Sequence, residues 1–269
     1  MTNSKHLTKT VSVVAITIAF LLAAACSPTT SSIQDLASTI DDGNSSAETP
    51  PKTEAPESTD PKNPTEPSVP VIPESPGTYK IEALSWETST KPERRQWSEY
   101  LHKIILEDWN TLLGGADDMD RFCPRYDRLD NNQRANVWAA LFSAMAKYES
   151  AYDPTSRMHE TTMGTDPVTG NPVYSEGLLQ LSYQDVRWAR WCEFDWNKDK
   201  HLSSKDPKKT ILDPYKNLYC GVGIMARQIK NKGAITVGSG AYWAVIKSGG
   251  RYQKITPISD MVKKLSFCK

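Results

Sequence analysis

Glu149 closes an apolar run of helical period and is followed, 28 residues on, by Gly177-Leu178-Leu179-Gln180. Val137, Ala140, Leu141, Ala144, Met145 and Tyr148 recur at the steps of one helix face. Pro154 cannot continue that helix. The spacing therefore predicts Glu149 at or near a helix C-terminus. Carbonyl groups there carry partial negative charge and disfavour a carboxylate. Apolar neighbours disfavour it too. Both effects raise its pKa, and a carboxyl group that stays protonated near neutral pH suits a general acid. Glu160, Asp166, Glu176 and Asp185 are candidate second acids. Glu176 directly precedes the Gly-Leu-Leu-Gln turn, where its carboxylate could face the same cleft.

The elements that must hold these residues read as helices. Trp97, Leu101, Ile104, Ile105 and Trp109 predict a helix over 92–113, ending before Gly114-Gly115. Residues 132–148 lead to Glu149, and 181–194, 216–230 and 257–265 carry three further helical patterns. No alternating run recurs at strand spacing, which argues against a parallel sheet. The stretch 154–175, with Gly164, Pro167, Gly170 and Pro172, reads as a loop or short hairpin over the cleft. The fold class expected is mainly α.

Four segments, in order, carry a family resemblance: Glu149-Ser150, Gly177-Leu178-Leu179-Gln180, the helix DPYKNLYCGVGIM with Asn217 and Gly221, and Ala241-Tyr242 in SGAYWAVIKSG. Together they resemble the soluble lytic transglycosylases and goose-type lysozymes, over roughly residues 131–255. Leu179 replaces the family's Met, a volume-conserving change. Trp243 replaces its Asn and Val245 its Gly. The resemblance implies a lysozyme-like domain over 79–269, with Glu149 as the acid and Tyr242 hydrogen-bonding near it. It also implies a sugar cleft touched by Ser150, Glu176, Gly177, Leu178, Leu179, Gln180, Asn217 and Trp243.

The N-terminus reads as an export signal. Lys5 and Lys9 precede an apolar run from Val11 to Ala25, too short for a comfortable membrane span. Ala23-Ala24-Ala25 before Cys26 resembles a bacterial lipobox, with Cys26 the lipidated first residue of the mature protein. Ser27, where an Asp would retain the protein at the inner membrane, implies the outer membrane, facing the periplasm or cell surface. Residues 27–78 lack apolar periodicity and hold nine prolines between Pro50 and Pro76, so we expect a disordered tether. The formal net charge of zero hides an asymmetry. Residues 27–78 carry nine acids and two bases, whereas 79–269 carry 23 acids and 28 bases. A mildly basic domain suits an anionic polymer such as peptidoglycan.

Setting Cys26 aside, Cys123, Cys192, Cys220 and Cys268 are an even set in an exported chain. Three pairings are open; we favour Cys192–Cys220 and Cys123–Cys268. No metal site is expected beyond one weak calcium candidate, the EF-hand-like spacing of Asp195, Asn197, Asp199 and Asp206. Lys200 stands where that loop wants Gly. No cofactor and no nucleic-acid partner are expected, and the chain reads as a monomer.

The activity implied is cleavage of the β-1,4 MurNAc–GlcNAc bond of peptidoglycan glycan strands. Ser182 stands where goose-type lysozymes place an acid, which points to lytic transglycosylation with Glu149 as the single catalytic carboxyl group. One alternative is a lysozyme-type hydrolase, including one that prefers deacetylated wall and binds its free amino group through Glu176. Another is a wall-binding lipoprotein without turnover. The membrane is engaged through the lipid anchor alone. Cys26→Ser should release the protein from membranes or leave it unprocessed. Fractionation with N-terminal mass analysis checks this, and a soluble wild-type protein with an unmodified N-terminus contradicts it.

Overall fold

Helix α2 (Asn131–Ser150) is apolar almost all round, and ten of its hydrophobic side chains from Ala135 to Ala146 are buried. A helix with no polar face must lie inside its domain. Its start is fixed by a capping box: Asp130 accepts from the Gln133 backbone, and the Gln133 side chain accepts from the Asp130 N–H. Around it, in the computed structural model, which describes residues 79–269, pack α1 (Arg94–Glu107) and α5 (Ile255–Val262). α4 (Pro214–Lys232) packs on α1. Asp213 caps α4, Pro214 occupies its first turn, and Gly233 ends it in the left-handed region. The domain is mainly helical, as its sequence pattern implies. Among the described residues, no helix is long and apolar enough to cross a membrane. Cys26, the export signal and the tether lie outside the described residues.

Two expectations need correction. The run 92–113 breaks at Trp109, beyond which Asn110–Gly114 forms a 3-10 turn. The run 181–194 is not an α-helix. Only Tyr183–Arg187 coils, as a 3-10 turn, and α3 (Trp196–Asp199) is one short turn further on. The cause is Asp185: its carboxylate accepts from the Ser182 backbone N–H and from the Tyr242 hydroxyl, so the segment is tied from outside itself.

Between α2 and α4 the chain forms a small antiparallel hairpin, β1 (Arg157–His159) with β2 (Tyr174–Glu176). Its register pairs Arg157 with Glu176 and Met158 with Ser175. Side chains alternate across a strand, so Ser175 and Glu176 face opposite sides. Asp166 ties the hairpin loop to the turn beyond it, accepting from Val168 N, Thr169 N, Ser182 Oγ and Gln184 N.

Both favoured disulfides are present. Cys123–Cys268 fastens the C-terminus to the segment before α2, with Cα atoms 4.7 Å apart. Cys192–Cys220 joins the loop after the 3-10 turn to α4, at 4.6 Å. Each closes a long loop of the unfolded chain, worth about 3–5 kcal/mol in the loop-entropy account. Reductant should lower the denaturation midpoint markedly. Peptide mapping of exported protein should find both bridges; four free thiols would contradict the pairing.

Candidate active site

Helix α2 stops within two residues of Glu149. Ala151 and Tyr152 both adopt left-handed backbone conformations, φ 52 and 65. Two successive non-glycine residues there are costly and must be held by their surroundings. Arg94 supplies part of that hold. Its guanidinium donates to the Tyr152 carbonyl at 3.3 Å and lies over the Tyr152 and Trp97 rings. The other non-glycine residue with positive φ among the described residues is Gln180, in the second motif. Backbone strain thus collects at the two segments that the spacing singled out.

Glu149 is half-buried as a residue, but its Oε1 is shut off from solvent and has no hydrogen-bond partner among the described residues. Burial, and then the negative charge of Glu160, push its carboxyl up to about 8. Glu160 itself is fixed by Ser175, whose hydroxyl donates to Oε1 at 2.6 Å. This places Glu160 on the Ser175 side of the hairpin. Of the four candidate second acids, Glu160 is therefore the one that acts electrostatically on Glu149.

Glu176 is turned the other way. It is buried, with Oε2 2.8 Å from the Lys209 ammonium and 3.4 Å from Arg157 Nε. Arg157 in turn lies over the Tyr174 ring. The expectation that Glu176 faces the cleft, or binds a sugar amine, is overturned by this ion pair: a buried carboxylate needs its cations. A cavity of about 160 Å³ lies on this reverse side of the hairpin, lined by Arg157, Tyr174, Glu176, Tyr183, Asp199 and Lys209. It contains neither Glu149 nor Glu160, so we locate the chemistry by the carboxyl pair and not by the cavity.

Several residues expected at the sugar are scaffold instead. Asn217 is fully buried and clamps the turn from α4. Its Oδ1 accepts from Leu179 N at 2.8 Å, and its Nδ2 donates to the Glu176 and Ile211 carbonyls at 3.1 Å. Gly177, at φ 82, leaves room for that amide; an added Cβ would lie 2.3 Å from Nδ2. Leu178 and Leu179 have no exposed surface, and Gly221 accommodates Leu179. Ser150 Oγ bonds back to the Ala146 carbonyl. Trp243 is buried and donates to the Leu179 carbonyl at 2.8 Å, bracing the turn where the family's Asn would be. Gln180 donates to the Gly177 carbonyl across its own turn.

Tyr242 is near Glu149 but does not bond to it. Its hydroxyl donates to Asp185 Oδ2 at 2.5 Å. Burial, then Asp185 and more weakly Glu149, raise its pKa well above the usual value. Asp185 is buried beneath it, and burial pushes its carboxyl up to about 6 against the pull of Tyr242 and the Ser182 N–H. The role of Asp185 could be suspected from sequence only as one acid among several.

The calcium candidate does not assemble. Asp195 caps α3, Asn197 meets Lys200, and Asp206 caps a turn at Lys208. Asp199 turns inward to Tyr183 and Thr210. Among the described residues no group of three or more His, Cys, Asp or Glu side chains is gathered as a metal would need.

No protein family and no curated protein matches the sequence. Solved structures of the Bdellovibrio protein Bd0314 DslA do resemble it. The wild-type form 2 is 28% identical, with a TM-score of 0.57, covering 71% of this chain and 100% of that one. Two Glu-to-Gln variants of it match with TM-scores of 0.57 and 0.56, at 28% and 27% identity and with the same coverage. The glutamates replaced in those two variants lie eleven residues apart in that chain, as Glu149 and Glu160 do here.

The raised pKa of Glu149 has a consequence for stability. A carboxyl group with a folded-state pKa above its unfolded value opposes folding once it must ionise. The penalty is absent below 4.5, grows as pH rises, and is complete above about 8. Glu149→Gln removes it. The variant should match wild type at pH 4 and be more stable by about 1–4 kcal/mol at pH 9. Denaturation at several pH values checks this, and a difference independent of pH contradicts it.

Proposed function

We propose that this protein is a glycosidase of the bacterial cell wall that cleaves the β-1,4 bond between MurNAc and GlcNAc. The observation that carries the reading is Glu149: a carboxyl group at a helix end that burial, and then the charge of Glu160, push up to about 8. Glu149 donates its proton to the glycosidic oxygen as the C1–O bond breaks. Its Oε1 is shut off from solvent, so the other carboxyl oxygen, Oε2, is the one that can face the sugar and hand over the proton.

Two fates of the sugar cation divide the family that the motifs resemble. In transglycosylation the muramyl 6-hydroxyl attacks; in hydrolysis water does. The sequence favours the first because Ser182 leaves the usual acid position empty. Glu160 changes the balance. It supplies the second carboxylate from the hairpin, and Ser175 holds it in place. Two carboxyl groups, one an acid and one a carboxylate to act on water, are what a hydrolase needs, and their separation decides whether configuration is retained or inverted. We therefore put hydrolysis first, with Glu160 taking a proton from the attacking water. The eleven-residue spacing shared with Bd0314 DslA supports treating the two glutamates as a pair. Export and lipid anchoring through Cys26 would bring the domain to its polymer.

Purified sacculi test this. Glu149→Gln and Glu160→Gln should each lower release of soluble fragments by about a hundredfold or more while leaving the fold intact. Mass spectrometry of the products should show reducing ends. Anhydro ends, which are lighter by one water, together with an active Glu160→Gln variant would restore the transglycosylase reading. Binding without release by wild type would leave only the wall-binding reading.

A further inference from the structure

Trp188 is the one exposed tryptophan among the described residues, at 38%. It ends the 3-10 turn that Asp185 ties to Tyr242, and its ring centre lies 6.3 Å from that of Tyr242. Behind it the aromatic contacts continue inward, to Trp191 edge-on at 6.3 Å and from there to Trp109 at 5.5 Å. The Arg227 guanidinium sits 4.8 Å from the indole centre. Arg187 and Arg190, on the same short segment, are exposed as well. Asp185, the acid of that segment, is buried and already accepts from Tyr242 and Ser182.

A large flat ring kept partly in water, backed by aromatics, with Arg227 over it and two exposed arginines on the same segment, has the make-up of a binding hot spot. The apolar C–H face of a pyranose matches an indole face. Arginine forks match carboxylates. Tyr242, which it neighbours, lies close enough to Glu149 to feel its charge, so one ring links the patch to the acid.

We propose that Trp188 is a stacking platform for a pyranose of the glycan strand, with Arg227 pairing a carboxylate on that sugar or its neighbour. This rests on the glycosidase reading for the identity of the strand. The patch extends the cleft beyond the scissile bond and holds the strand in register with Glu149.

Binding is measured by calorimetry in the full-length Glu149→Gln chain, so that nothing is cleaved. The probes are chitotetraose, which is neutral, and the wall tetrasaccharide of the same length, which carries lactyl carboxylates. Trp188→Ala should weaken both by about tenfold or more, and Trp188→Phe should keep most of the affinity. Arg227→Gln should weaken only the carboxylated probe. Affinities of Trp188→Ala within twofold of its parent for both sugars would overturn the proposal. So would Trp188-dependent binding of a single-stranded oligonucleotide tighter than of either sugar, since basic and aromatic groups also suit nucleic acid. Circular dichroism and melting of each variant report whether it folds. Sacculus digestion with otherwise wild-type chains keeps the two readings apart. If wild type releases nothing but Trp188→Ala loses sugar binding, the platform stands and the enzyme does not. If Trp188→Ala digests sacculi and binds sugar like wild type, the enzyme stands and the platform does not.

Discussion

Desolvation of a single carboxyl group is the constraint around which this domain is arranged. Helix α2 runs through the core and ends at Ser150, directly after Glu149, whose carboxyl stays shielded from water. Had it ended earlier, the carboxyl would reach water and ionise at its ordinary pKa. Ala151 and Tyr152 accept strained backbone conformations so that the chain can turn away there. Arg94, from α1, holds the turned segment. Below about pH 8 the group is mostly neutral, so the cost of burying its charge falls on the fold only above that pH.

The second motif serves the first from behind. Asn217 reaches from α4 with two hydrogen bonds to the turn, at the Glu176 carbonyl and Leu179 N–H, and one to the Ile211 carbonyl, and Trp243 adds a third to the turn at the Leu179 carbonyl. These bonds are buried, so their loss would leave backbone groups unpaired in a dry interior. The turn is thereby rigid, and it carries the strand that presents Ser175. Ser175 orients Glu160, and Glu160 raises Glu149. The buried Glu176–Lys209–Arg157 cluster fixes the other face of the same hairpin. Adjacent residues in one strand thus divide the work: Ser175 addresses Glu160 and Glu176 the scaffold.

Much of this was legible in the sequence because periodicity and punctuation carry it. The apolar run before Glu149, Pro154 after it, and Asp213-Pro214 before α4 are local signals, and the helices they mark are present. The cysteines left three pairings open, and the favoured one is found. What sequence did not show is which way side chains point. The motifs predict Leu178 and Leu179 at the sugar as members of the Gly177–Gln180 turn, and Asn217 as part of the separate DPYKNLYCGVGIM match. They are buried because the turn needs packing and amide partners more than the ligand does. Glu176 was ranked above Glu160 by proximity to the turn; strand alternation across the β1–β2 register reverses that order. The run 181–194 carried a helical pattern, but a tertiary bond from Tyr242 to Asp185 overrode local preference.

The central claim is that burial and the charge of Glu160 keep Glu149 protonated at neutral pH. The most direct measurement is an NMR titration of the Glu149 side-chain carboxyl carbon, in wild type and in Glu160→Gln. The account predicts a midpoint of about 8 in wild type and a lower one in the variant, still above the ordinary value of 4.5 because burial is the larger cause. A wild-type midpoint near 4.5, or one that Glu160→Gln leaves unmoved, would contradict it.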